Sequence, residues 1–507
     1  MTSSALVPGR LVVGYGSESG TARALARRLG AALVQAGHPA DVQCLDECGI
    51  TALGHGDALI AVTSSFGDGE PPANAATVLQ QLHAKPACSG VRHAVFGLGD
   101  TAYPRFCGFS RDLDQLLLER GSQPLLQRVD ADQGHEAFFQ RWLAGLLAVL
   151  GGNAPVGGDL GLQIIAYGQT RSFSAPLLDR RRLSTGGQPA WHLQLDLRGS
   201  GMHCQAGDTL YVLPRNDPGL LDALARWYGQ PEAATLLQDR ELRRPTKAVL
   251  RALARRCDAG ALLELLKTSH RRALDAYLWD TDMLDILQDH ADPQRLPLGE
   301  LHALLPPCLP RAYSIASHAD AQGVELCVRE VAYVARSRPR RGTATGWLLH
   351  GPAQVDVYSR RNPAFRLPPD PAVPLLMVGT GTGIAPLRGL LQEMEAEGAR
   401  ETHLVFGEKH AATDYLYRHE LERWCQRGDL ASLRTAFSRD GQAKYYVQDA
   451  LQAHAAEVAQ LLQRGAHLYL CGSKAHLETA IETTLDAIVP GSWNALRQDG
   501  RLHCELY

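Results

Sequence analysis

Hydroxyl and glycine residues follow the first apolar run of the chain, where a strand would pass into a helix. Residues 11–13 predict the strand, and residues 17–21 supply hydroxyls and a glycine ahead of a helical stretch. Exposed N–H groups and the positive end of the helix dipole favour an anion there. Because the P-loop lysine is missing, a single terminal phosphate fits better than a triphosphate with magnesium. Taken alone, the same residues could merely cap a helix.

Two later loops place glycines, polar groups and an aromatic ring after apolar strands. Residues 63–71 include Phe66, and residues 97–103 include Tyr103. Open α/β sheets bind ligands at the carboxyl ends of their strands, and the two rings could enclose a planar ligand. Either ring alone could be packing. The three loops together predict a site for a planar, phosphorylated ligand such as a flavin.

A cation, an aromatic ring and a hydroxyl stand close together much further along, in Arg311, Tyr313 and Ser314. The arginine suits a pyrophosphate, and the tyrosine suits one face of an isoalloxazine ring. Residues 342–348 then form a glycine-and-hydroxyl loop at the predicted start of a helix, a second place for phosphate. The basic run at residues 336–341 is interpreted as a solvated loop without a role. The pattern predicts a second flavin site.

A tight glycine turn at residues 379–383 follows an apolar strand and lets the backbone approach a pyrophosphate. No acid stands clearly placed to hold a ribose 2′-hydroxyl. Instead Ser438, Arg439 and residues 444–448 offer two cations and several donors, which a 2′-phosphate requires. Surface charge is the alternative interpretation.

Two flavins suit the splitting of an electron pair, because a nicotinamide gives up two electrons together whereas haem and iron–sulfur acceptors take them singly.

The elements that must position these residues form a multidomain α/β protein with a β-barrel. Strands alternating with helices predict a doubly wound parallel sheet, and alternating apolar residues predict an antiparallel barrel. We expect five segments along the chain: a doubly wound domain at 1–150, a linker at 151–163, a barrel at 164–217 and 301–367 with a helical insertion at 218–300, and a nucleotide-binding domain at 368–507.

Composition excludes several partners. A net charge of −3 over 507 residues argues against nucleic acid. The sequence shows no signal pattern and no apolar stretch long enough for a membrane span, so a soluble cytoplasmic protein is expected. Eleven scattered cysteines without a disulfide framework are typical of a reducing compartment.

Together these motifs resemble the diflavin reductases, which implies a flavodoxin-like FMN domain, an FAD-binding barrel and a ferredoxin-reductase-like NADP-binding domain. The resemblance is closer to the flavoprotein subunits of bacterial NADPH sulfite reductases than to the microsomal NADPH–cytochrome reductases. Residues 106–107, 128–132 and 365–368 and Tyr507 carry the closer resemblance, which spans nearly the whole chain. The implied FMN-binding residues are Ser17, Glu18, Ser19, Gly20, Thr21, Ala22, Ser64, Ser65, Phe66, Gly67, Leu98, Gly99, Asp100, Tyr103, Phe106 and Cys107. The implied FAD-binding residues are Arg311, Ala312, Tyr313, Ser314, Cys327, Val328, Arg329, Tyr333, Gly342, Thr343, Ala344, Thr345 and Tyr507. The implied NADP-binding residues are Thr382, Ser438, Arg439, Lys444, Tyr446 and Gln448.

The resemblance also implies the residues near hydride transfer, which are Ser314, Cys471, Glu505 and Tyr507. The tyrosine ring would cover the FAD ring until nicotinamide displaces it. The chain departs from its relatives at Ser473 and Ala480, where an aspartate is usual.

The resemblance implies electron transfer from NADPH to FAD, to FMN and then to a separate haem, sirohaem or other one-electron acceptor protein, a sulfite reductase haemoprotein being favoured. A general reductase for a haem monooxygenase, a flavodoxin-like carrier or a ferric acceptor stays open. A flavin-binding docking or sensor protein with little turnover is the alternative from another class.

Overall fold

The computed structural model describes residues 9–65, 69–85, 87–99, 105–132, 135–162, 168, 171–318, 323–473 and 477–507. The chain divides into two compact units, Met1–Gly168 and Gln169–Tyr507. No helix in these described ranges combines the length and apolar character that crossing a bilayer requires.

The first unit contains a parallel sheet covered by helices on both faces, as the sequence predicted. Its strands are β1 (Leu11–Gly16), β2 (Asp41–Cys44), β3 (Ala58–Ser64), β4 (Arg92–Leu98), β5 (Gln123–Pro124) and β6 (Val129–Ala131). Its helices are α1 (Thr21–Gln35), α2 (Val78–Ala84), α3 (Gly108–Glu119) and α4 (His135–Leu150). The strand order is β2-β1-β3-β4-β5, with β6 also paired to β4. The order reverses between β1 and β3, so ligands are expected beyond their carboxyl ends.

The central strand of this sheet is apolar along almost its whole length because both of its faces are covered. Six consecutive residues of β3 are buried, and separate apolar clusters pack on the two faces of the sheet. On one face Phe96 meets Phe139 with ring centroids 5.5 Å apart, and Trp142 at 5.2 Å. Two well-packed faces hold the strand ends, and therefore the loops that follow them, in fixed positions.

The start of the predicted linker is packed onto the first unit. The Gly157 amide donates to the Leu125 carbonyl at 2.9 Å, and the Gln127 amide donates to the Gly158 carbonyl at 3.1 Å. Leu162 lies in the apolar cluster of that unit. Movement within residues 151–158 would therefore break these contacts.

The second unit begins with an antiparallel sheet. Its strands are β7 (Phe173–Arg182), β8 (Ala190–Leu195), β9 (Thr209–Leu213), β10 (Arg311–Ser314), β11 (Val324–Arg329) and β14 (Gln354–Arg360), in the order β10-β9-β14-β7-β8-β11. A single bridge between Ile315 and Leu326 links its two ends. A hairpin of β12 (Ala332–Ala335) and β13 (Arg338–Arg341) leads into helix α12 (Thr343–His350).

Helices fill the segment between β9 and β10 and have an apolar core of their own. They are α5 (Pro218–Tyr228), α6 (Ala233–Leu237), α7 (Lys247–Arg256), α8 (Gly260–Leu265), α9 (Arg271–Asp280), α10 (Met283–His290) and α11 (Leu298–Leu304). Their starts carry ordinary capping signals: the Asp217 side chain, directly before Pro218, accepts from the Gly219 and Leu220 amides, and Asp282 and Asp285 form a capping box.

A second parallel sheet completes this unit, as predicted from the restarted strand–helix alternation. Its strands are β15 (Leu375–Thr380), β16 (Thr402–Glu408), β17 (Ser432–Phe437), β18 (His467–Gly472) and β19 (Leu502–Leu506), in the order β17-β16-β15-β18-β19. The helices are α13 (Ile384–Glu397), α14 (Ala411–Asp414), α15 (Arg418–Arg427), α16 (Val447–Ala453), α17 (Ala455–Gln463), α18 (Leu477–Ile488) and α19 (Ser492–Gln498). The order reverses between β15 and β18, which makes their carboxyl ends the expected nucleotide site.

The two sheets of the second unit share one core. Apolar residues of the antiparallel sheet, such as Ala316 and Cys327, belong to the same cluster as Met377 and Leu404 of the parallel sheet. Arg388 on α13 is buried there; it donates to the Ala316 carbonyl at 2.7 Å, to Glu420 at 2.7 Å and to Glu325. Strands from both sheets are thereby held in one rigid arrangement.

Candidate functional site

The turn between β1 and α1 exposes hydroxyls at the start of a fifteen-residue helix. Gly20 has φ of +91°, and its amide donates to Ser17 Oγ at 3.0 Å. The Ser19 and Thr21 hydroxyls lie 3.2 Å apart and face solvent, while Glu18 accepts from the Ala73 amide at 3.2 Å. Hydroxyls and helix-start amides without a P-loop lysine fit a single phosphate. Ala22 is fully buried, so only its backbone could contribute.

The other loops at this edge are held by backbone contacts and burial. The Ser65 amide donates to the Leu98 carbonyl at 3.0 Å, and Ser65 Oγ accepts from the Phe109 amide at 3.1 Å. A Cβ on Gly99 would lie 2.6 Å from Cys107 Sγ, so the loop requires glycine there. The Ser64 hydroxyl donates to the Gly16 carbonyl at 3.3 Å.

Phe106 and Cys107 are buried beneath this edge. Burial raises the pKa of the Cys107 thiol well above its usual value, so the residue is inert packing rather than a nucleophile. Four further predicted residues, Phe66, Gly67, Asp100 and Tyr103, lie outside the described residues.

A cavity of about 1000 Å³ lies between the antiparallel sheet and the helical segment. It brings together Arg311, Tyr313 and Tyr333 with residues 342–345 at the start of α12. Gly342 is required, because its Cβ would meet Thr345 Oγ1 at 2.7 Å. Cations, aromatic rings and a helix start around one cavity fit a flavin with a pyrophosphate. Ala312, also predicted to bind FAD, is exposed and is not among the described residues that line this cavity.

Several lining residues of this cavity were missed from the sequence. The helical segment contributes Arg243, Arg244 and Trp279. The Arg243 guanidinium lies 5.3 Å from the centroid of the Tyr333 ring. No local motif marks these residues. Arg243 and Arg244 precede α7 and Trp279 lies on α9, so they reach the cavity only through tertiary packing.

The structure corrects the interpretation of the basic run at residues 336–341 as a solvated loop without a role. The guanidinium groups of Arg338 and Arg340 form ion pairs with Asp282 and Asp285 at the start of α10, and Arg340 is 5% exposed. Among these contacts Arg340 Nη2 lies 2.5 Å from Asp285 Oδ2. The run therefore fixes the hairpin that carries Tyr333 against the helical segment.

Cys327, Val328 and Arg329 lie at the end of β11. The first two side chains are buried in the core, so only their backbones could touch a ligand. Arg329 lines a different cavity from Arg311.

This second cavity, of about 650 Å³, lies beyond β15, β16 and β18. The NADP-binding residues predicted by resemblance that lie in its wall are Thr382, Ser438, Tyr446 and Gln448. Tyr507, predicted to bind FAD, also lines this cavity rather than the larger one. Ser473 and Ala480 also line it, whereas Arg439 and Lys444 are exposed residues outside the described lining. Sequence reasoning missed Glu408 and Lys409, which also line it.

The glycine turn after β15 fits the approach of a nucleotide backbone. A Cβ on Gly383 would lie 2.3 Å from the Cys471 carbonyl oxygen, so only glycine allows the turn to meet β18. Gly381 has φ of +58°.

Ser314, Cys471 and Glu505 are brought together from three strands. Cys471 and Glu505 are register partners in β18 and β19, and the Ser314 hydroxyl donates to Glu505 Oε1. Burial raises the pKa of the Glu505 carboxyl to about 7, and the hydrogen bond from Ser314 opposes the rise. Glu505 Oε2 is buried and has no hydrogen-bond partner among the described residues. Burial also raises the pKa of the Cys471 thiol.

Tyr507 connects this cluster to the nucleotide cavity. Its amide donates to the Gly472 carbonyl at 3.1 Å, and its hydroxyl lies 2.7 Å from Thr382 Oγ1. The side chain is 59% exposed in the wall of the cavity. A large exposed ring beside a buried carboxyl, a hydroxyl and a thiol suits contact with a planar redox ring.

Comparisons with known proteins agree with this geometry. The flavodoxin family model matches residues 13–142, and the oxidoreductase NAD-binding domain model matches residues 377–482. The sulfite reductase (NADPH) flavoprotein alpha-component of Bacillus subtilis (strain 168) is 33% identical, over 96% of this chain and 86% of that protein. The Mannheimia succiniciproducens protein of the same name is 30% identical over 97% and 89%, and that of Sodalis glossinidius 34% over 93% and 84%. The chain therefore belongs to the family of the sulfite reductase (NADPH) flavoprotein alpha-components.

Proposed function

We propose that this chain is an NADPH-dependent diflavin reductase that passes electrons from NADPH through FAD and FMN to a separate redox protein. When bound, the nicotinamide supplies a hydride and the flavins exchange it for single electrons. The observation that carries the proposal is the Ser314–Glu505–Cys471 cluster, close in the chain to Tyr507, which lines the nucleotide cavity.

The larger cavity of the second unit would hold FAD. Arg311 and the start of α12 would bind its pyrophosphate, and Tyr313 and Tyr333 would pack on its rings. Buried Cys327 and Val328 would contribute backbone groups only.

The smaller cavity would hold NADPH. Thr382 and the turn around Gly381 would receive the pyrophosphate, while Ser438, Tyr446 and Gln448 would line the adenosine half. Arg439 and Lys444, exposed beside this cavity, would reach the 2′-phosphate from solvent. Arg439 and Lys444 support a 2′-phosphate rather than a bare hydroxyl. Among the described lining residues of the cavity, Glu408 is the single acid.

Near the reacting rings, this chain's own residues would steer geometry and protons. Tyr507 would cover the FAD ring and leave when nicotinamide arrives. Glu505 would hold a proton near neutral pH, because burial favours its neutral form. The Ser314 hydroxyl would orient that carboxyl, and buried Cys471 would pack beside it from the neighbouring strand.

FMN would bind the first unit, with its phosphate on residues 17–22 and its ring between the loops that follow β3 and β4. The domain division that we propose is FMN at 1–150, a linker at 151–163, FAD at 164–217 and 301–367 with the helical insertion at 218–300, and NADPH at 368–507. The bridge between Ile315 and Leu326 supports closure of the antiparallel sheet into a barrel.

The acceptor that we favour is a sulfite reductase haemoprotein in the cytoplasm. Support comes from the relatives, which are flavoprotein alpha-components of sulfite reductases. The first 150 residues hold fourteen Asp and Glu against eleven Arg and Lys, a mild excess that favours a basic docking surface on the partner.

The test is to purify the protein and release its flavins by denaturation. Equal amounts of FAD and FMN are expected, and a single kind of flavin would refute the proposal. Steady NADPH oxidation with cytochrome c or ferricyanide should follow. A fully loaded protein without turnover would favour a sensor, and Ser473 and Ala480 in the cavity wall are the feature that would explain it. Turnover with cytochrome c but not with a sulfite reductase haemoprotein would favour a general reductase.

A further inference from the structure

Arg329 lines the nucleotide cavity, and Val331, only two residues later, lines the larger cavity of the same unit. Arg329 ends β11, directly after buried Cys327 and Val328. Its side chain lines the nucleotide cavity together with Gly381, Glu408 and Lys409. A residue that family resemblance attributes to FAD therefore faces the other coenzyme's cavity.

The contacts of Arg329 hold its guanidinium over the glycine turn after β15. Nη1 donates to the Gln188 carbonyl at 2.8 Å, and Nη2 pairs with the Glu408 carboxylate. A Cβ built on Gly381 would lie 3.7 Å from Arg329 Nη2 and 3.5 Å from Glu408 Oε1. The ion pair thus forms the wall facing the turn that a dinucleotide pyrophosphate approaches.

The Glu408 carboxylate is buried, and both of its oxygens are engaged by neighbouring groups, so it serves to orient Arg329. Its side chain is 4% exposed, and its Oε2 accepts from the Lys409 amide at 2.8 Å while Oε1 pairs with Arg329. Arg329 keeps 21% of its side chain exposed. A guanidinium has five N–H donors, and the two described contacts account for two of them.

The charge balance of the cavity wall favours an anion at this position. Among the described lining residues the cations are Arg329 and Lys409, and the single carboxylate is Glu408. A planar guanidinium matches two phosphate oxygens better than an ammonium does. Gly381 leaves the phosphates room to come within reach, because it carries no side chain and has φ of +58°.

We propose that Arg329, oriented by Glu408, binds the pyrophosphate of the nicotinamide dinucleotide and not that of FAD. The inference rests on the proposed function. It assigns Arg329 to a group that NADPH and NADH share, whereas the exposed Arg439 would contact only the 2′-phosphate.

The competing explanation is that the Arg329–Glu408 ion pair only ties β11 to β16 and binds no phosphate. A double variant in which both residues are uncharged distinguishes the two explanations. Arg329→Met alone leaves Glu408 buried and unpaired, which would repel phosphate by itself. The double variant Arg329→Met/Glu408→Gln removes both charges at similar volume. The matched control is Arg434→Met/Glu457→Gln, since Arg434 also keeps 21% of its side chain exposed in an ion pair of the same unit.

The measurement is the dissociation constant of NADP⁺ from the flavin-loaded protein by calorimetry, with FAD content measured in parallel. Loss of one charged contact should weaken NADP⁺ about 10- to 100-fold in the double variant. KM for NADPH and for NADH should rise by similar factors, FAD content should stay at the wild-type level, and the control should bind normally. Recovery of wild-type NADP⁺ affinity in the double variant would overturn the proposal, and loss of FAD would return Arg329 to the flavin. Wild-type protein that binds no NADP⁺ would instead refute the proposed function.

Discussion

Replacing Glu505 with Gln should change how the stability of the second unit depends on pH. Burial raises the pKa of this carboxyl from 4.5 to about 7 in the folded protein. A carboxyl with a raised folded pKa stabilises the fold fully below about pH 4.5, and its contribution is lost as the pH rises through 7. At about 1.4 kcal/mol per pKa unit, Glu505 should contribute at most about 3 kcal/mol to the loss of stability between pH 4.5 and 8.

The assay is urea unfolding of the FAD-free protein at pH 5 and pH 8, followed by tryptophan fluorescence. Glu505→Gln should lose up to about 2.5 kcal/mol less than the wild type between the two pH values, since the amide cannot ionise. Glu397→Gln is the control, because Glu397 is exposed on α13 in the same unit. Equal pH dependence in wild type and Glu505→Gln would refute the argument that burial holds this carboxyl neutral.

Three further substitutions test the proposed coenzyme sites. Arg439→Ala should weaken NADPH far more than NADH, because one charged contact is worth about 1.5–3 kcal/mol; equal KM increases would remove its 2′-phosphate role. Tyr507→Ala removes the contact with Thr382, so displacing the ring no longer costs a bond of about 1 kcal/mol and kcat/KM for NADH should rise about fivefold; an unaltered kcat/KM for NADH would contradict the covering role. Gly383→Ala would place a Cβ 2.3 Å from the Cys471 carbonyl oxygen, so calorimetry should show NADP⁺ binding lost while FMN content is retained; normal NADP⁺ binding would show that the turn tolerates a side chain.

The alternation of apolar strands and helices was sufficient to predict both parallel sheets. Runs such as residues 58–62 are apolar without interruption because they are buried on two faces, and that property is local to the sequence. The loops at the carboxyl ends follow from the same pattern. The sequence therefore located the turn at Gly20 and the turn at Gly383 before any packing was known.

Features that depend on distant partners could not be predicted in this way. Arg338 and Arg340 read as solvated charge because their partners, Asp282 and Asp285, lie more than fifty residues earlier. Trp279 lines the proposed FAD cavity only because α9 packs beside the hairpin. Placement of such residues depends on tertiary packing, which neither spacing nor composition encodes.

The buried guanidinium of Arg388 has a consequence for engineering and inheritance. Its carboxylate partners come one from the antiparallel sheet, Glu325, and one from α15, Glu420. A chimera that exchanged the last 140 residues alone would combine a cation and a carboxylate from different parents inside one core. Coenzyme preference is therefore better altered by point substitution at the cavity rim than by transplanting the lobe, and the two halves of this unit should be inherited as a block.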